Sequence, residues 1–343
     1  MHKMLFIIGA PRSGTTLLER MLSSHSCIKG GPEPHLLTPL AHLGLWSNVD
    51  KAPYDHVLAA EAQKQFVASL PLGMENWWKA CRAYCDVLYS AYMDCTQENV
   101  CLDKTPAYAL VWPFVTKVFP DAHYIVLTRH PVALFSSYAN SFFNGDYAVA
   151  EQYNPLLDRY VPALAAMLRS NTANMTHLQY EQLVKEPEAS LALLCESLAI
   201  PYEAQAVAYG EHDNKPENLS AKNRREGLGD PIGIKQHTKP TTTSVAKWVE
   251  ELKSDPEKEA FMRRAIDRLA PEDLATLGYP IDTLWAPLDN ATPGTRASKT
   301  ASWNRYRVQR ACIIGLRAQA RKHRWFRRFL EKLRLATEVL LRE

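Results

Sequence analysis

A chain of 343 residues, 46 % hydrophobic and 22 % charged, is long enough for one large α/β domain or two small ones and too apolar for global disorder. A net charge of +3 does not by itself point to nucleic acid, and no apolar run approaches the ~20 residues of a membrane-spanning helix. The charge is uneven: residues 303–343 hold twelve Lys or Arg against three Glu, a net of +9, so residues 1–302 carry −6.

Residues 4–8 are a short continuous apolar run, the pattern of a parallel strand buried on both faces. A helix over 14–25 follows, with Leu17, Leu18, Met21 and Leu22 on its inner side. Gly and Pro punctuate 30–40 as a loop, and 55–96 read as helices rich in aromatics, among them Phe66, Trp77, Trp78, Tyr84, Tyr89 and Tyr92. A strand near Val100–Leu102 ends at Asp103-Lys104-Thr105-Pro106. His123–Thr128 is the clearest second strand, ending at Arg129-His130-Pro131 before a helix from about 132. Met175–Gln179 is a further strand, followed by Tyr180-Glu181 and a helix over about 187–198. Residues 210–245 read as a long polar loop, 246–278 as helical, and 286–302 as a linker.

Strands alternating with helices predict an α/β fold: one mainly parallel sheet flanked by helices, a single domain over 1–285, with a basic helical tail over 303–343. The seven cysteines are odd in number and irregular in spacing, as expected of reduced, buried thiols. Paired metal-ligand spacing is absent, so no metal is expected. With the first strand starting at about residue 4, no signal peptide is expected, and the predicted location is cytoplasmic.

The strand, Gly-bearing loop and helix start of residues 4–16 form a phosphate cradle, in which backbone N–H groups and the helix dipole face an anion. Gly9 and Gly14 have Walker A spacing, but Thr15 stands where that motif has lysine. The nearest cation is Arg12, inside the loop. Ligands of such sheets bind beyond the carboxyl ends of the strands, and Arg12, Lys104 and Arg129 each follow a predicted strand end. Three cations are therefore expected in one crevice.

These patches resemble the 3′-phosphoadenosine-5′-phosphosulfate (PAPS)-dependent sulfotransferases, in particular the tyrosylprotein-sulfotransferase-like branch and its bacterial relatives. Pro11-Arg12-Ser13-Gly14-Thr15-Thr16 is similar to the family's loop for the 5′-phosphosulfate. Arg129, with Ser137 eight residues on, is similar to its 3′-phosphate site. Asp103-Lys104-Thr105-Pro106 is similar to its lysine-bearing motif, and Tyr180-Glu181-Gln182-Leu183 to the segment whose tyrosine lies near the nucleotide. Lys239-Pro240 through Ala246-Lys247-Trp248 is similar to the loop that closes over the donor. The match spans residues 4–250.

The resemblance implies sulfuryl transfer from PAPS to a hydroxyl acceptor, leaving adenosine 3′,5′-bisphosphate, by in-line displacement without metal. Negative charge builds on the departing phosphate, so positioning and electrostatics carry the chemistry. Lys104 and Arg12 are expected to stabilise that charge, with Ser13, Gly14, Thr15, Thr16, Arg129, Ser137, Tyr180 and Lys239 binding the nucleotide. The general base implied is Glu33, with His35 as the alternative. Two other classes fit parts of the pattern: a P-loop small-molecule kinase, opposed by the missing Walker lysine, and a non-catalytic nucleotide-binding relative, opposed by intact Lys104 and Glu33.

In the tail, Phe326, Leu330, Leu333 and Leu340 recur near helical spacing with cations between them, a basic amphipathic helix. It reads either as a helix docked on the domain or another subunit, or as a contact for an anionic membrane surface or acidic partner. Nucleic acid is not expected as a partner.

Overall fold

The computed structural model describes residues 3–30, 33, 37–41, 56–93, 99–170, 172, 174–209 and 239–291, with isolated positions at 319, 323, 325, 326 and 329. His35, residues 210–238, residues 292–302 and the tail leucines Leu330, Leu333 and Leu340 lie outside them. Among the described residues no helix is long and apolar enough to cross a membrane.

Five parallel strands form one sheet: β1 (Lys3–Gly9), β2 (Ile28–Lys29), β3 (Val100–Lys104), β4 (His123–Thr128) and β5 (Met175–Gln179), in the order β2-β3-β1-β4-β5. β1 is central, between β3 and β4. Because all strands run the same way, the ends of β1, β3 and β4 share one edge of the sheet, where ligands of such folds bind.

The apolar run of β1 is buried on both faces because side-chain direction alternates. Leu5 and Ile7 pack on one side with Leu18, Met21 and Leu22 of helix α1 (Thr15–Ser23). Phe6 and Ile8 enter the larger core on the other side. Phe6 is paired in register with Tyr124 of β4 and Asp103 of β3, and the Phe6 and Tyr124 rings stack at 5.5 Å. Phe119 closes on Phe6 at 5.3 Å.

Helices α2 (Leu37–Ala41), α3 (His56–Ser69) and α4 (Met74–Met93) lie between β2 and β3 in the chain. The loop predicted over 30–40 thus gives way to a helical turn at Leu37, whose side chain is fully buried. Of the aromatics in 55–96, Tyr89 is buried, whereas Phe66, Tyr84 and Tyr92 are exposed. β3 runs two residues further than its apolar run suggests, so Asp103 and Lys104 belong to the strand itself. Both are buried, where a polar residue needs a partner.

After β4 come α5 (Pro131–Phe143), α6 (Tyr147–Tyr153) and α7 (Leu156–Leu168); after β5 come α8 (Tyr180–Lys185) and α9 (Pro187–Leu198). Three helices follow over 247–276, at Lys247–Ser254, Pro256–Ile266 and Pro271–Thr276. A helical turn at Ala286–Asp289 buries Leu288 in the core, so packed structure continues past residue 285.

Candidate active site

The loop between β1 and α1 is tightly wound. Ser13 N–H donates to Ala10 O at 3.1 Å, Arg12 has φ 74° and Gly14 has φ 98°. A left-handed conformation is ordinary for glycine and costly for arginine; such strain persists where surrounding contacts impose it. No side chain caps the start of α1, so its first-turn N–H groups are presented to the crevice.

Arg129 follows β4 and is buried. Its Nη1 donates to Arg12 O at 2.9 Å and its Nη2 to Ser244 O at 2.9 Å. Its guanidinium carbon stands 4.4 Å from the centre of the Tyr180 ring. Burial pushes the guanidinium down from its usual value, partly offset by Tyr180 and Glu181, and a guanidinium remains charged at neutral pH. Among the described residues no carboxylate is in salt-bridge contact with it, and its Nε has no hydrogen-bond partner. Ser13 Oγ, in the same small pocket, is likewise buried without a partner. A buried cation and a buried hydroxyl left open beside an uncapped helix start fit the phosphates of a nucleotide.

Ser137 on α5 meets Arg12: Arg12 Nε donates to Ser137 Oγ at 3.3 Å, and the Arg12 guanidinium lies 6.0 Å from the Phe142 ring centre. The eight-residue spacing from Arg129 therefore delivers Ser137 to the neighbouring arginine. The residue before it anchors the same helix on the other side. Ser136 Oγ donates to Glu251 Oε2 at 2.5 Å, and Lys258 Nζ donates to Glu251 Oε1 at 2.6 Å, which ties α5 to the helices at 247–266.

Lys104 ends β3, in register with Ile7, and is only 2 % exposed. Its Nζ donates to Glu33 Oε1 at 2.6 Å, and the Glu33 side chain is 15 % exposed. Chain positions 71 apart thus form one ion pair at the sheet edge that also carries Arg12 and Arg129. Thr15 is buried, Thr16 is half-buried, and Tyr180 is buried against the loop. Lys239 is exposed, and the loop it belongs to reaches the site through Ser244.

Several residues of the sequence motifs shape the site through contacts that no local pattern indicates. Glu181 accepts the His130 backbone N–H at 3.1 Å and the Tyr279 hydroxyl at 2.6 Å, fixing the turn after Arg129. The His130 ring stacks on Trp248 at 4.6 Å and donates through Nε2 to Leu284 O at 3.0 Å.

Residues 5–204 match the sulfotransferase family. Nodulation protein NoeE of Sinorhizobium fredii is 26 % identical over 296 residues, covering 80 % of this chain and 65 % of that protein. The protein-tyrosine sulfotransferase of Drosophila melanogaster is 23 % identical over 285 residues, covering 80 % of this chain and 51 % of that protein. The chain therefore spans about half to two thirds of the length of these relatives. Among solved structures, the sulfotransferase domain from the curacin biosynthetic pathway aligns with TM-score 0.47 at 23 % identity, covering 72 % of this chain and 90 % of that one. With more than half of its length matched to the family model, the chain belongs to the sulfotransferases.

Proposed function

We propose that the chain transfers a sulfuryl group from PAPS to a hydroxyl acceptor. The observation that carries this reading is the Lys104–Glu33 pair at 2.6 Å, held at the same sheet edge as the uncapped loop and the buried Arg129, whose Nε has no hydrogen-bond partner. PAPS, when bound, supplies the sulfuryl group and a phosphate leaving group. Backbone N–H groups of the 13–16 loop, Ser13 Oγ and Arg129 would hold its phosphates, with Ser137, Tyr180 and Lys239 contributing on the loops around them. Glu33 would accept the proton of the attacking hydroxyl, for which an ionised carboxylate has the right chemistry. Lys104 and Arg12 would offset negative charge on the departing phosphate oxygen. The named activity of several relatives supports a hydroxyl acceptor, and peptide tyrosine is the first acceptor to screen.

Calorimetric titration with adenosine 3′,5′-bisphosphate, with ATP and magnesium as the control, tests the donor class. Binding of the bisphosphate in preference to ATP is expected, weakened on the order of tenfold or more in Arg129→Ala, since a hydrogen bond to a charged group is worth about 1.5–3 kcal/mol. A preference for magnesium ATP would overturn the assignment and move a kinase to first place.

A further inference from the structure

We infer that Tyr108 is a positioning residue for the transfer site. Its hydroxyl joins the buried Asp103 carboxylate to the backbone of Leu37 and so ties the chain, four residues after Glu33, to the strand that carries Lys104. The inference rests on reading Glu33 and Lys104 as the reacting pair.

Asp103 precedes Lys104 on β3, so alternation turns their side chains to opposite faces. Asp103 enters the aromatic core and is 1 % exposed. It is satisfied there by hydroxyl donors: Tyr89 to Oδ2 at 2.5 Å, Tyr108 to Oδ2 at 3.0 Å and Thr105 to Oδ1 at 3.0 Å. Burial and the charge of Asp103 push both phenols well above the usual tyrosine range, so both stay protonated donors at any physiological pH.

Tyr108 alone of these donors also reaches the other segment. Its oxygen accepts the Leu37 backbone N–H at 3.1 Å. Leu37 opens α2, and the first N–H groups of a helix have no partner within it, so the phenol supplies the missing acceptor. Leu37 lies four residues after Glu33. The two segments are thus joined at two points, Glu33 to Lys104 and Leu37 to Tyr108, and the second is anchored on a buried carboxylate next to the lysine in sequence. A hydroxyl already donating to a carboxylate is polarised and accepts more strongly. The arrangement fixes the base relative to the lysine without touching either. Tyr89 provides an internal control, because it shares the carboxylate but not Leu37.

The test compares Tyr108→Phe with Tyr89→Phe in the full chain, reading kcat, bisphosphate affinity and amide hydrogen exchange of the segment containing Leu37. Tyr108→Phe is expected to lower kcat on the order of tenfold to a hundredfold, as a base displaced by a fraction of an ångström would, with bisphosphate affinity kept within about twofold. It should also speed exchange at Leu37. Tyr89→Phe should leave both kcat and Leu37 exchange near wild type. Unchanged exchange at Leu37 in Tyr108→Phe, or equal loss of kcat in the two variants, would overturn the inference. If the unmodified chain transfers no sulfuryl group, the reading of the site fails separately, and the exchange comparison still decides whether Tyr108 holds the segment.

Discussion

The Tyr180 ring lies directly against Gly14: a β-carbon there would stand 2.5 Å from Tyr180 Cδ2. The other side of the relationship is Arg129, whose guanidinium lies over the same ring. One aromatic ring at the start of α8 thus meets both the loop after β1 and the arginine after β4.

Gly14→Ala should therefore be costly on two counts, the added carbon against Tyr180 and the φ of 98° that a side chain resists. Overpacking and a left-handed backbone each cost on the order of 1–3 kcal/mol, so a loss of about 2–4 kcal/mol in urea unfolding is expected. Stability within a few tenths of wild type would show that the ring moves aside freely.

The Lys104–Glu33 pair predicts a separation of chemistry from binding. Lys104→Ala should lower kcat on the order of a hundredfold to a thousandfold, the usual loss for a group facing developing charge. Glu33→Gln keeps the shape and removes the proposed proton acceptor, and should cost on the order of a hundredfold or more together with the acid limb of the pH profile. Both variants should titrate with the bisphosphate nearly as the wild type does. Near-normal turnover in either would remove that residue from its role.

His130 predicts how stability depends on pH. Burial lowers its affinity for protons in the folded chain, with Leu284 O and Glu181 acting partly the other way. Burial also lowers His123 and His177. Unfolded histidine titrates near pH ~6.5. The unfolded chain therefore binds more protons below that pH, and the stabilisation present above it is lost as pH falls toward the folded values. Unfolding free energy should decline between about pH 7.5 and 5.5, by up to about 1.4 kcal/mol per pH unit from His130 alone. His130→Gln should make the decline shallower in urea titrations; an identical slope would count against the assignment.

Much of the fold is local information. His123–Thr128 is a mostly apolar run, and Met175–Gln179 mixes Met175, Thr176 and Leu178 with polar residues; the strands occupy those residues. Lys3–Gly9 and the following helix start are marked by an apolar run and by Gly14, which takes the φ such a turn requires. The two-residue β2 carries no periodicity and exists only because β3 lies beside it. Asp103 and Lys104 extend β3 against their polarity because each finds a partner from elsewhere in the chain.

Local patterns mark the groups that meet at this sheet edge: a glycine-bearing loop with Arg12, a lysine after an apolar run, an arginine after another, and a glutamate after the first helix. These are short-range patterns, readable because backbone geometry and strand periodicity act over a few residues. Their partners come from the packing of distant segments. Ser137 serves Arg12, Arg129 holds the carbonyls of Arg12 and Ser244, and Tyr108 bridges Asp103 to Leu37. Apart from Tyr108 to Asp103, these contacts join residues 71 to 125 positions apart. Such pairings follow from the order in which strands enter the sheet and from the need of each buried polar group for a partner, and neither is written in any local stretch of chain.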